Sequence, residues 1–159
     1  MERKPVKRNV NIAKLSRDHH ASLMFCWKIR NGIKLNASTE RMVKYLQYFL
    51  HQHFIPHFTE EEEILFAPLR DKEVQKALDD HIAIKKLIHK ISFSSPENHQ
   101  NELSELADMV DEHVRYEERI LFPHLEKELS QEQLESIGKQ ISDEAIKDNY
   151  EDAFWVKGK

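Results

Sequence analysis

The sequence predicts an all-α protein, an antiparallel up-down-up-down four-helix bundle followed by a short C-terminal helix. Three observations carry that expectation. Three Gly and five Pro in 159 residues leave few turn formers. Apolar residues recur in alternating three- and four-residue steps through four long segments, which is one face of a helix. The joining stretches are short, and no run alternates as a half-buried strand would.

The first segment runs from about Ile12 to Ile33, with Ile12, Leu15, His19, Ser22, Cys26, Ile29 and Ile33 on one stripe. A neighbouring stripe through Ser16, His20, Leu23 and Trp27 is also partly apolar, so His20 stays an alternative to His19 as the inward imidazole. Asn31-Gly32 offers a stop signal, although Ile33 and Leu35 suggest that the helix continues slightly further before turning. Asn36, Ser38 and Thr39 are candidate N-caps for a second helix, with Glu40 favourable to its dipole. Its inward stripe reads Leu46, Leu50, His53, His57, Glu61 and Ile64, and the helix should end near Phe66, before Pro68. Pro56 lies inside it, and the clash with the Gln52 carbonyl predicts a kink worth ~3 kcal/mol. A third helix spans about Asp71 to Ile91, with Val74, Leu78, His81, Ile84 or Lys85, and Ile88 inward.

Ser95, Pro96 and Glu97 read as the capped start of a fourth helix. It carries Leu103, Leu106, Val110, His113, Glu117, Ile120 and His124, and should end near Pro123. Ser130 with Gln133 is a capping box for a shorter helix to about Ile141. Ile146, Tyr150, Phe154 and Trp155 follow at near-helical spacing. Residues 1–10 therefore read as a mobile basic arm, 11–128 as the bundle and 129–159 as a helical extension. That extension would cover an end of the bundle or form a homo-oligomer contact.

The composition narrows the function classes. A net charge of -4 with mixed signs argues against a nucleic-acid partner. No apolar run approaches the ~20 residues of a membrane span, and no apolar stretch follows the basic N-terminus to make a secretory signal. The single cysteine, Cys26, excludes an internal disulfide framework and a cysteine zinc site, and fits a reducing cytoplasm. Ten histidines are the unusual feature.

His57 to Phe66 and His113 to Phe122 both read HxxxEExILF. On a helix, His and Glu four apart share one face. Glu61 and Glu117 lie on apolar stripes with no inward Arg to pair with, and Lys85 is the nearest cationic candidate. An uncompensated buried carboxylate is costly. Metal ions would compensate both. The donors are then His19, His57, Glu61, His81, His113 and Glu117, too many for one tetrahedral zinc and too few to saturate two octahedral ions. A dinuclear site with open positions follows, with Glu61 and Glu117 bridging ions roughly 3.5–4 Å apart. Imidazole with carboxylate suits iron, manganese or zinc.

These residues resemble a known family, the hemerythrin-like (HHE cation-binding) domains, over nearly everything from Leu15 to Leu125. The resemblance rests on Leu15-Ser16-Arg17-Asp18-His19, the first HxxxEExILF, Asp80-His81, and His113 to Pro123. It implies two iron ions with an oxo or hydroxo bridge, a place for dioxygen or another small ligand, and the same six ligands. Oxygen-carrying members have a second histidine where this chain has Lys85, and space the last carboxylate to where it has Glu118. His53, Glu118 or water are the candidates for the position that Lys85 leaves.

Three functions fit this reading. The first is a di-iron protein that binds or senses dioxygen, nitric oxide or iron. The second is an enzyme activating dioxygen, peroxide or nitrogen oxides, with Lys85 or Tyr116 as proton donor. The third is a structural bundle holding zinc or no metal. Tyr116 otherwise reads as packing, and His20, His51, His89, His99 and His124 as surface or packing residues.

Overall fold

A computed structural model describes residues 7–94, 99–144 and 146–159. Helix α1 spans Ala13–Lys34, running past Asn31-Gly32 to a cap at Leu35, as Ile33 and Leu35 suggested. It ends in a Schellman motif, in which the Ala37 N–H donates to Gly32 O at 2.9 Å and the Asn36 N–H to Ile33 O at 3.0 Å. Asn36 takes the left-handed position at φ 55°.

Helix α2 (Thr39–Phe49) is capped by Ser38, whose Oγ accepts from the Arg41 N–H at 3.2 Å. The chain then widens into a π-turn at Leu50–Phe54, resumes as α3 (Ile55–Glu60), and widens again at Glu61–Leu65. The Ile55 N–H reaches back five residues to Leu50 O. This wider turn takes up the missing donor of Pro56, so the expected kink is absorbed as a π-bulge.

Helix α4 (Lys72–Phe93) starts from Asp71, whose side chain accepts from the Val74 N–H at 3.1 Å. Helix α5 (His99–Tyr116) runs into a π-turn at Glu117–Leu121 and continues as α6 (Phe122–Glu128). The end expected near Pro123 is thus wrong. Pro123 falls in the first turn after the bulge, where a proline costs no helical bond. The cap expected at Ser95 lies outside the described residues. Helix α7 (Gln131–Gln140) opens on the capping box, with Ser130 and Gln133 satisfying each other's backbone N–H at 3.1 and 2.9 Å.

The paired π-turns correct the register. Ile64 and Ile120 were expected inward, but Leu65, Phe66, Leu121 and Phe122 are buried instead, and Ile120 is 53% exposed. A π-turn inserts about one extra residue, which rotates everything after it by most of a third of a turn. The ILF of each repeat therefore packs through its last two residues.

Two apolar clusters form the core. One gathers Phe25, Tyr45, Phe49, Phe54, Ile84 and Val110, the other Leu15, Leu65, Phe66, Val74, Leu121 and Phe122. Each long segment passes from one cluster to the other, and between them carries its histidine: His19, His57, His81 or His113. Choosing between the third-helix alternatives, Ile84 is buried and Lys85 exposed. The described residues are helical with no strand among them, packed as a helical bundle, and no helix is long and apolar enough to cross a membrane.

Near both ends, the described residues differ from expectation. Arg8 is no free arm: its guanidinium binds Glu118 at 2.8 Å and Glu126 at 2.5 Å. After α7 the described residues are irregular rather than helical and run back over the bundle as a strap. Lys28 holds Asp148 at 2.9 Å, Arg41 holds Asp152, and Tyr45 donates to Asp148. Phe154 is 1% exposed and sits against α1, where a Cβ on Gly32 would come within 2.7 Å of its ring. The aromatic tail thus covers its own bundle.

Phe154→Ala should cost roughly 3–5 kcal/mol in chemical denaturation, as a large buried ring lost from a packed site. Gly32→Ala should cost about 1–3 kcal/mol by overpacking the same contact. Unchanged midpoints for both would show that the strap is not part of the cooperative fold.

Candidate metal centre

All six donors expected from the sequence meet in the layer between the two apolar clusters, each 3% exposed or less. They fall into two groups of four: His19, His57, Glu61 and Glu117, and Glu61, His81, His113 and Glu117. Within each group the ligand atoms lie within 4.8 Å of one another. The two carboxylates belong to both groups. His20 is exposed, so His19 is the inward imidazole of α1.

The ring Nε2 atoms converge. Glu117 Oε1 lies 3.0 Å from both His19 Nε2 and His113 Nε2. Glu61 Oε1 lies 3.3 Å from His57 Nε2 and 3.2 Å from His81 Nε2, and the Nε2 atoms of His81 and His113 are 3.1 Å apart. Several of these buried atoms have no hydrogen-bond partner: both Glu61 oxygens, Glu117 Oε2 and His57 Nε2. Buried polar atoms are rarely left so, which is the behaviour of a donor set built for an ion.

The far nitrogens each face a carboxylate, a pattern that the sequence reading did not foresee, and three of the four are hydrogen-bonded to it. His19 Nδ1 lies 2.8 Å from Glu118, which Arg8 and Ser16 hold. His57 Nδ1 lies 3.3 Å from Asp18, which Lys14 holds at 3.0 Å. His81 is the looser case: its Nδ1 lies 3.5 Å from Glu62 without a hydrogen bond, with Lys85 at 3.6 Å behind that carboxylate. His113 Nδ1 lies 3.0 Å from Asp80, with Lys76 at 3.0 Å. Every histidine thus has a carboxylate behind it, and every such carboxylate a cation. The signal was in the motifs. The Asp of each Asp-His pair backs the next segment's histidine, and the second Glu of each EE pair backs His81 or His19.

The remaining candidates go elsewhere. Glu118 stands behind His19, outside both groups of donors. His53 is fully buried, stacks on His57 at 5.3 Å, and has Nε2 2.8 Å from Ser22 Oγ. Neither sits beside Lys85. The face of His81 is instead covered by Phe58, stacked at 3.9 Å. Tyr116 donates to the Glu73 carbonyl at 2.6 Å, which makes it packing. His124 pairs with Asp71 at 2.6 Å in a separate, half-buried group with Glu73.

With protons alone in the centre, the histidines compete between burial and charge. Burial disfavours the imidazolium of His19, but Glu117 and Glu118 outweigh it and push its pKa up to about 10. His113 is likewise carried against burial to about 10 by Glu117 and Asp80, and His57 to about 9 by Glu61 and Asp18. His81 is raised against burial by Glu61 and Glu62. Glu117 is held well below the carboxylate range despite burial, chiefly by His113. His53 moves the other way, to about 3, by burial and the neighbouring His57 charge.

Groups raised in the folded state stabilise it fully below their unfolded pKa and lose that contribution as pH rises through the folded value. The metal-free protein should therefore lose stability from about pH 6.5 through about pH 9–10, as His57, His19 and His113 deprotonate. His53 adds a loss as pH falls below 6.5. Denaturation of chelator-treated protein across this range checks the sign; stability that rises with alkaline pH would contradict it.

A curated protein named as a DNA nickase, from Nostoc sp. strain PCC 7120, is 32% identical over 100 residues, covering 58% of this chain and 28% of that protein. The chain thus spans well under half of that relative's length. No solved structure matches. The family model described as the hemerythrin HHE cation binding domain matches residues 10–125. The chain belongs to the hemerythrin HHE cation-binding family.

Proposed function

We propose that this chain is a dinuclear metal protein, an up-down-up-down antiparallel four-helix bundle that binds or senses dioxygen or nitric oxide at two iron ions. The observation that supports it most is the pair of donor groups sharing Glu61 and Glu117. His19 and His57 would hold one ion, His81 and His113 the other, and the two carboxylates would bridge them with an oxo or hydroxo group. Iron there supplies redox chemistry and a position for a small ligand; manganese or zinc would fit the same donors. A cytoplasmic setting suits the buried thiol of Cys26.

The chain's own contribution is orientation and charge. Asp18, Asp80 and Glu118 orient His57, His113 and His19 with Nε2 inward, and Glu62 faces His81 more loosely; all four carboxylates favour the charged or metal-bound ring. Their four cations cancel the outer charge, which leaves Glu61 and Glu117 to face the ions.

An enzyme reading draws less support. Lys85 is engaged with Glu62 at the surface and Tyr116 with a carbonyl, so neither proton donor is placed in the centre. DNA stays with the nickase: 28 acidic residues against 24 basic ones give this chain no electrostatic case for phosphates.

Loading with ferrous iron under reducing conditions should give two ions per chain by elemental analysis. Metal at about 100 times its dissociation constant should stabilise the fold by about 2.7 kcal/mol. Glu61→Gln and Glu117→Gln should lose metal and that stabilisation. Gln variants that keep full metal content would sink the bridging assignment, and a chain that stays metal-free would favour the structural reading.

Binding should release protons at neutral pH, because histidines with raised pKa values must lose them to coordinate. Titration in buffers of different ionisation enthalpy reads this. Arg8→Ala or Glu118→Gln should weaken metal binding about 10–100-fold by loosening His19; wild-type affinity in both would remove that relay from the centre.

A further inference from the structure

We propose that Asp71, Glu73 and His124 form a separate, mononuclear site for a divalent transition-metal ion such as zinc, outside the central layer. The three side chains offer one imidazole nitrogen and two carboxylate oxygens within 4.8 Å of one another. His124 Nε2 lies 2.6 Å from Asp71 Oδ2 and 3.7 Å from Glu73 Oε2. The group joins the start of α4 to α6, and Glu73 stands roughly 12 Å along α4 from His81. The site shares no residue with the central donors and does not rest on the dinuclear reading.

Helix capping explains only part of this group. Asp71 needs one oxygen for its cap: Oδ1 accepts from the Val74 N–H at 3.1 Å, which leaves Oδ2 turned to His124. An acid at the second position of a helix favours the dipole without leaving solvent, and Glu40 of α2 and Glu132 of α7 stand there exposed. The side chain of Glu40 is 81% exposed, that of Glu73 at the same position of α4 only 26%. Glu73 leans in toward His124 instead.

The charge there lacks a partner. Two carboxylates gather on one imidazole, and no Lys or Arg pairs with either among the described ion pairs. Each carboxylate behind a central histidine, by contrast, has its cation. Lys76, three residues on from Glu73, is engaged with Asp80 at 3.0 Å and lies over the Tyr116 ring at 4.4 Å. Like charges held this close favour a bound cation.

The donor set names the class of ion. Imidazole with two carboxylates suits zinc, manganese or ferrous iron. Zinc takes such ligands at about 2.0–2.2 Å, which sets the donor atoms of a tetrahedron about 3.3–3.6 Å apart. The Glu73 pair already stands near that spacing, and the Asp71 pair opens by about 1 Å as the ion replaces the proton shared with His124. All three side chains are half-buried, so water completes the shell.

Equilibrium dialysis of the full chain against zinc, read by elemental analysis, tests the site. Glu73→Gln, His124→Gln and Asp71→Asn should each bind one zinc fewer per chain than the wild type; Asn keeps the cap, since its side-chain oxygen still accepts from the Val74 N–H. That difference of one holds whatever the central layer takes up. The double variant Glu61→Gln/Glu117→Gln should retain the one ion, which tells the two sites apart. Glu73 has no other side-chain partner among the described hydrogen bonds and ion pairs, so Glu73→Gln reads the site even where His124→Gln loosens α6. Wild-type zinc content in Glu73→Gln would overturn the proposal, as would a double variant that binds no zinc.

Discussion

Two carboxylates buried in an apolar layer are the constraint around which the molecule is arranged. Glu61 and Glu117 are fully buried, and no Lys or Arg reaches them among the described ion pairs. Their charge is met by imidazolium protons or by metal, and either choice demands four histidines at close range. Those histidines in turn need carboxylates behind them, and those carboxylates need cations. The chain supplies each layer in sequence: Glu61 and Glu117, then the imidazoles, then Asp18, Glu62, Asp80 and Glu118, then Lys14, Lys85, Lys76 and Arg8. Charge is thereby balanced outward to the solvent, and the innermost pair alone depends on what occupies the centre.

The backbone bends to the same requirement. Glu61 and Glu117 are each the first residue of a π-turn, and the backbone carbonyl of each accepts from the Phe66 or Phe122 N–H five residues on. The wide turn lets His and Glu keep their one-turn spacing on the centre while the following Leu and Phe rotate into the apolar cluster that also holds Leu15 and Val74. Bulges of this kind concentrate at functional sites because they re-aim side chains without breaking the helix. Here the same device also accommodates Pro123, and an earlier one accommodates Pro56.

Much of this was legible in the chain. The all-helical class, much of each inward stripe and the burial of all six candidate donors follow from periodicity, because burial against a common core enforces the 3.6-residue repeat on each segment. What escaped was whatever breaks that repeat or links distant segments. The inward placement of Ile64 and Ile120 failed because a π-turn leaves no compositional mark. The outer relays escaped because Asp18 and Asp80 reach across to other helices, and spacing along one helix cannot show that. Proline was read as a terminator at Pro123, where a bulge just upstream removed the conflict. The strap was read as helix because Tyr150, Phe154 and Trp155 pack at near-helical spacing, yet their partners are Tyr45 and the Gly32 notch rather than one another's turn.

The two halves of the repeat are alike in their candidate donors and unlike in their surroundings: His53 stacks fully buried on His57, whereas Met109 stands half-buried one turn before His113. The proposed function presupposes two ions held between Glu61 and Glu117. X-ray absorption at the iron edge of the loaded protein tests that most directly. The account predicts an iron–iron vector at roughly 3.5–4 Å together with imidazole scattering. A single isolated iron with no second-metal shell, at full loading, would contradict it.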